Sequence, residues 1–143
     1  NAYQSIERIV NFFPEDHHSQ IRLNLSMNLK AIISQRLLPS PKQGMVVAAE
    51  VMLNQGLVKE LIHKGEITKI REIMEQNAPM GMCTFDQCLL KLHVEGLITE
   101  ETAISQADQP GDLKIRLQQI KLGGGSGKEV LRSVDTSILR ISE

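Results

Sequence analysis

A chain of 143 residues, 41% hydrophobic and 23% charged, has the make-up of a globular protein with room for a real core, in one ordinary domain or two small ones. Its formal net charge of −1 gives no global electrostatic case for binding nucleic acid or an anionic membrane. No apolar run approaches the ~20 residues of a membrane-spanning helix, and the opening at Asn1, without Met or signal peptide, reads as that of an excised fragment.

Ile6, Ile9, Val10 and Phe13 recur at helical spacing, which predicts a helix to about Phe13, where Pro14 stops the pattern. A second helix is expected from Glu15–Asp16, whose carboxylates suit a positive N-terminus. Ile21, Leu25, Leu29 and Ile32 line one face of it, widened by Leu23, Met27 and Ile33. The stretch LKAIISQRLL then reads as the apolar end of that helix running into a short extended piece, and Pro39, Ser40, Pro41 and Gly44 as a turn. Residues 45–53, MVVAAEVML, hold one charge, Glu50, and no alternation. That is the pattern of a strand buried on both faces, with a helix as the competing reading.

A two-stranded hairpin is marginal in water, and no other internal strand is evident. The missing neighbours are therefore expected in another chain or a removed segment, making this part of a larger protein. An uncovered apolar face and open edges further predict self-association, through the hairpin or a swapped helix.

Asn54-Gln55-Gly56 breaks the strand, and short helices follow. Leu57, Val58, Leu61 and Ile62 form one, ended by Lys64-Gly65. Ile67, Ile70, Ile73 and Met74 form the next, with Arg71 and Glu75 paired on its wet side, and Asn77, Pro79 and Gly81 form a loop. Thr84-Phe85-Asp86-Gln87 is a capping box leading into Phe85, Cys88, Leu89 and Leu92; Gly96 ends that helix and Thr99 caps another. Residues 54–108 thus read as a small all-helical unit. Beyond Asp108, Leu113, Ile115 and Leu117 suit a strand, while Leu113, Leu117 and Ile120 suit a helix. Gly123 to Gly127 is a flexible linker, and residues 128–143 a loosely attached element.

Candidate chemistry is sparse. Gly123 to Lys128 lacks the first Gly of a phosphate loop and has Glu129 where Ser or Thr would hold Mg²⁺. The helices around Gly96 have helix-turn-helix spacing, but TEETAISQAD carries three acids and no base, which repels DNA. His17, His18, His63 and His93 are scattered, and Glu100-Glu101 serves a helix start. Cys83 and Cys88, five apart, would lie on different faces of a helix; neither has a second ligand at metal spacing, and buried thiols in a reducing compartment are the expectation. No catalytic or metal constellation assembles.

Several segments carry a resemblance. NAYQSIERIVNFFP is similar to NAxxALDRIINFFP; the Ser-Gln-Arg-Leu strand, Gly-containing turn and AAEVML resemble a Gln-x-Leu strand followed by one bearing a Glu; GMCTFDQCL resembles GMQTFDQAL; and DLKIRLQQIKL is similar to DLRLxIKL with residues inserted. These motifs, over roughly residues 1–117, are those of the PilT/PilU-type retraction ATPases of type IV pili within the secretion ATPase superfamily, and in particular the PilU type. The resemblance implies the C-terminal end of a RecA-like P-loop ATPase core over residues 1–53, mainly α with a β-hairpin. It also implies a helical C-terminal domain over 54–108 and a tail over 109–143. GLVKELIHK aligns with the AIRNLIRE element that this family needs for pilus retraction. Val58, Leu61 and Ile62 match its apolar positions, Lys59 keeps a charge, and Glu60, His63 and Lys64 depart from it; Leu57 to Lys64 is the implied partner-contact element. A cytoplasmic hexameric motor, peripheral to the inner membrane, is implied, with a PilT-type ATPase and the inner-membrane platform protein as partners. ATP and Mg²⁺ belong to the parent. The phosphate loop, Walker B acid and His box are not in these residues, so the fragment itself is expected to hold no cofactor and to be inactive. The reading from another class is a stand-alone helical protein-binding adaptor.

Overall fold

The computed structural model describes residues 1–42 and 44–123. Helices α1 (Ala2–Asn11) and α2 (His18–Asn28) lead into strands β1 (Ala31–Ser40) and β2 (Gly44–Leu53). Five helices follow: α3 (Leu57–Lys64), α4 (Ile70–Gln76), α5 (Phe85–Val94), α6 (Glu100–Gln106) and α7 (Pro110–Gly123). The fold is mainly α with one antiparallel hairpin. Linker residues 124–127 and residues 128–143 lie outside the described part.

The first helix stops at Asn11, short of Phe13, because Pro14 cannot continue it and Phe12 already caps its last carbonyls. Glu15–His17 form a 3₁₀ turn, and the second helix proper begins at His18. The larger difference concerns LKAIISQRLL, which is not the end of a helix. Asn54 closes α2 at Asn28: its side-chain amide donates to the carbonyls of Leu25, Ser26 and Leu29, and its own N–H bonds Lys30 O. Released there, the β-branched residues Ile32 and Ile33 join a ten-residue strand. Pro39, Ser40 and Gly44 belong to strands rather than to the turn.

The hairpin register pairs Ile32 with Met52, Ser34 with Glu50, Arg36 with Ala48 and Leu38 with Val46. On the far edge of β2, Val51 and Cys83 exchange two backbone hydrogen bonds, and Ala49 N–H donates to Cys88 Sγ. The stretch before α5 thus adds one isolated bridge to this edge, and the sheet stays two-stranded among the described residues. Only Ala48 to Met52 are buried on both faces; Met45 and Val47, in the outer half of β2, reach solvent.

Two cores flank the hairpin. Leu38 and Ala48 pack with Phe85, Leu89, Ala103, Leu113 and Leu117. Met52 packs with Ile6 and Val10 of α1, Val58 and Ile62 of α3, and Ile70 and Met74 of α4. Residues 113–120 resolve as helix: Leu113 and Leu117, one turn apart, are buried, while Ile115 is exposed.

Thr84 and Gln87 form the expected capping box. The cysteines, however, do not share the helix. Cys83 precedes the cap and Cys88 is the fourth residue after it, the two positions of a hydrophobic staple, so they meet instead of pointing apart. Both are free and buried, and the hydrogen bond to Cys88, then burial, pushes the Cys83 thiol up. A thiol so held is a poor nucleophile.

Glu50 is the single charge in β2 and is buried. Its carboxylate accepts the Ala2 N–H at the start of α1 and the Phe85 N–H at the start of α5, joining both cores at one side chain. Burial nonetheless pushes its carboxyl above the ordinary 4.5. An acid with a raised folded pKa stabilises the fold most below its unfolded value, and that contribution fades as pH rises through the folded one. Glu50→Gln should therefore flatten the loss of stability as pH climbs from 4.5 toward neutrality. Urea unfolding across that range checks this; parallel wild-type and variant curves would contradict it.

Candidate partner-contact face

Helix α3 is positioned at both ends by glycine. Gly56 precedes it at φ +52°, and Gly65 ends it at φ +77°, donating to Ile62 O as the sequence predicts. Gly65 is further constrained by Arg22 of α2, whose Nε would lie 3.3 Å from any added Cβ. Between these ends the element divides cleanly. Val58, Leu61 and Ile62 are buried against α1, α4 and Met52, which fixes the helix on the core. Lys59, Glu60, His63 and Lys64 face solvent, and Leu57 is exposed at the first turn.

The outward half of α3 borders α2. Leu23, Ser26 and Met27 on one side, and Lys59, Glu60 and His63 on the other, line an open groove of about 450 Å³. Lys64 pairs with Glu60 at 3.7 Å, an exposed contact one turn apart. The groove therefore offers an apolar floor from α2 and a rim of mixed charge from α3. It suits a protein surface better than a small charged ligand.

Of the residues singled out in the sequence, the structure brings the four polar ones of this element onto one face and hides the three apolar ones. Leu23 and Met27 were expected to widen a buried stripe; Met27 instead is 65% exposed and Leu23 lines the groove. Nothing in the sequence distinguishes this, because the α2 stripe is broad enough to bury only part of itself.

The other candidates stay apart. His18 meets the Phe13 carbonyl and His93 the Ile98 carbonyl, and no group of three metal-ligating side chains forms among the described residues. Glu100 is paired with Lys121, which holds its carboxyl below the ordinary value. The glycines and Lys128 of the rejected phosphate loop fall, after Gly123, outside the described residues. No helix among the described residues is long and apolar enough to cross a membrane.

No family model matches the chain. It is 44% identical over 135 residues to the type IV pilus ATPase PilU of Pseudomonas aeruginosa, across 94% of this chain and 35% of that protein. It is 32% identical over 110 residues to the type IV pilus retraction ATPase PilT of the same organism, across 77% of this chain and 32% of that one. Among solved structures, the pilus retraction motor PilT with bound ADP superposes with a TM-score of 0.71 and 34% identity, over 79% of this chain and 31% of PilT. The chain thus spans about a third of the length of the curated relatives it matches. On that likeness the chain belongs to the family of the type IV pilus ATPases PilU and PilT, of which it matches a C-terminal portion.

Proposed function

We infer that this chain serves subunit contact and force transmission in a type IV pilus retraction motor, with ATP and Mg²⁺ handled by the rest of the protein. In this reading residues 1–53 complete a RecA-like core, 54–108 form the helical C-terminal domain, and 109–143 form a tail. The motor is a cytoplasmic hexamer at the inner membrane, and its partners are its own subunits, a PilT-type ATPase and the platform protein. The observation that supports this most is the division of α3. The element aligned with the retraction motif keeps its apolar half in the core and leaves Lys59, Glu60, His63 and Lys64 beside an open groove. A face held rigid by its own core and left polar outside suits a contact that forms and releases during a work cycle.

Binding of the 143-residue chain to a PilT-type ATPase, followed by fluorescence anisotropy, tests the reading. The chain should bind, and Lys59→Glu with His63→Glu should weaken binding on the order of tenfold or more, as loss of central contacts does, with the circular dichroism unchanged. The chain alone should hydrolyse no ATP. Absence of binding, or binding indifferent to both substitutions, would favour the stand-alone adaptor. A hydrolysis rate abolished by a single substitution in these residues would contradict the placement of catalysis elsewhere.

A further inference from the structure

Cys83 and Cys88 are the only thiols in the sequence, and the fold uses both residues to hold β2. The N–H groups of Ala49 and Val51 turn away from β1, to Cys88 Sγ at 3.4 Å and Cys83 O at 2.8 Å. The even-numbered residues of the two strands therefore form the ladder between them. The cysteines take the staple positions on either side of the Thr84 cap, where the Cys83 thiol donates to Cys88 Sγ. In GMQTFDQAL, the motif this segment resembles, the same positions hold Gln and Ala, so the pair belongs to this sequence and not to the motif.

The two sulfurs are not equivalent. Cys83 shares its S–H between Cys88 Sγ and Thr84 O, 3.3 Å away, and so keeps its proton. Cys88 is met by donors: the Cys83 S–H, the Ala49 N–H and, one turn along α5, the charge of Lys91. These hold the Cys88 thiol below its ordinary 9.0, the hydrogen bond from Cys83 outweighing the cost of burial. Cys88 is thus the nucleophile and Cys83 the thiol poised to follow it.

We propose that Cys83 and Cys88 form a modification site, oxidised reversibly to a disulfide by a small hydroperoxide. The Cys88 thiolate attacks one oxygen of hydrogen peroxide and the O–O bond breaks. Cys88 becomes a sulfenic acid, and the departing hydroxide takes up the proton that Cys88 had released. The Cys83 sulfur then attacks the Cys88 sulfur, the S–O bond breaks, and the Cys83 proton leaves with that hydroxide as a second water. Two thiols give up two electrons, and one peroxide becomes two waters. Burial selects the oxidant: at 5% and 3% exposed, the pair admits a molecule little larger than water and excludes a bulky disulfide. Closing the bond also takes the anionic acceptor from Ala49 N–H, because a neutral sulfur accepts weakly, while Val51 keeps Cys83 O. Oxidation of α5 is thereby felt in the middle of the hairpin. In a reducing compartment such a bond is transient, as in a sensor.

Treating the folded 143-residue chain with hydrogen peroxide, then counting thiols after denaturation and weighing the intact chain, gives the test. Wild type should lose both thiols together, become lighter by two hydrogens, stay a single chain on a non-reducing gel and recover both thiols with a dithiol. Cys83→Ala should stop at a sulfenic acid on Cys88, trapped by dimedone. Cys88→Ala should leave Cys83 reacting on the order of tenfold more slowly or worse. The Ala49 amide should exchange several-fold faster in the oxidised chain, and glutathione disulfide should leave the folded chain unmodified. Circular dichroism follows the fold of each variant, and the wild-type result decides without them. Thiols that survive in the folded chain and vanish only in urea, cross-links between chains, or Cys83 reacting undiminished in Cys88→Ala would overturn the proposal.

Discussion

Replacing Asp86 by alanine should cost about 3–5 kcal/mol, the range for breaking one side of a buried ion pair. Asp86 is the second residue of α5, a position where the sequence alone suggests only a favourable dipole contact. Folding gives it far more. One carboxylate oxygen accepts Asp108 N–H at 2.7 Å; the other accepts Gln109 N–H at 3.0 Å and Arg71 Nη2 at 2.6 Å. Arg71 also donates to Glu75, and Glu75 in turn accepts from Arg116. One side chain, 4% exposed, thereby ties α4 to α5 and to the start of α7. Removing it leaves a largely buried guanidinium with Glu75 alone and strips two N–H groups of their acceptor, where the packing excludes water. Urea denaturation should show a lowered midpoint with an unchanged slope. A loss below about 1 kcal/mol would place the network among ordinary exposed pairs and contradict this assignment.

Phe85→Ala should be nearly as damaging, about 3–5 kcal/mol for a large buried ring. The ring is 2% exposed at the first position of α5, packed in the core shared by Leu38, Ala48 and α7. It also supports the Arg36 guanidinium, which bonds Asp108. The cavity would therefore loosen both the apolar layer and the polar contact above it. In a chain of this size the melting temperature should fall on the order of ten degrees, measured by calorimetry. Phe85→Leu, which keeps most of the volume but no ring face, should lose clearly less. Equal losses would mean that the ring contact, rather than the filled volume, dominates.

Much of this architecture is readable from local rules. The capping box at Thr84 and the αL glycine at Gly65 rest on near neighbours and form as the pattern predicts, and the apolar run of β2 forms a strand, though buried only from Ala48 to Met52. The failures have one common cause. Whether LKAIISQRLL continued a helix was decided by Asn54, more than twenty residues away. Whether Leu113 to Ile120 was helix or strand was decided by which of its residues meet the α5 core. The partnership of Cys83 with β2 joins residues separated by a whole helical unit, and no periodicity encodes it. Glu50 was visible as a lone charge in an apolar run, but its service to two helix N-termini was not. The proposed contact face was half legible: the α3 motif points to it, while the α2 side appears only once Met27 is seen outside the core.

The account centres on a hairpin bridged along β2 and open along β1. Amide hydrogen exchange, followed residue by residue in dilute solution, tests this most directly. Protection should alternate along β1, with Ser34 and Arg36 slow and Ile33, Gln35 and Leu37 fast, while Ala49 and Val51 of β2 stay slow. Uniform protection along β1 at high dilution, or fast exchange at Ala49 and Val51, would contradict it.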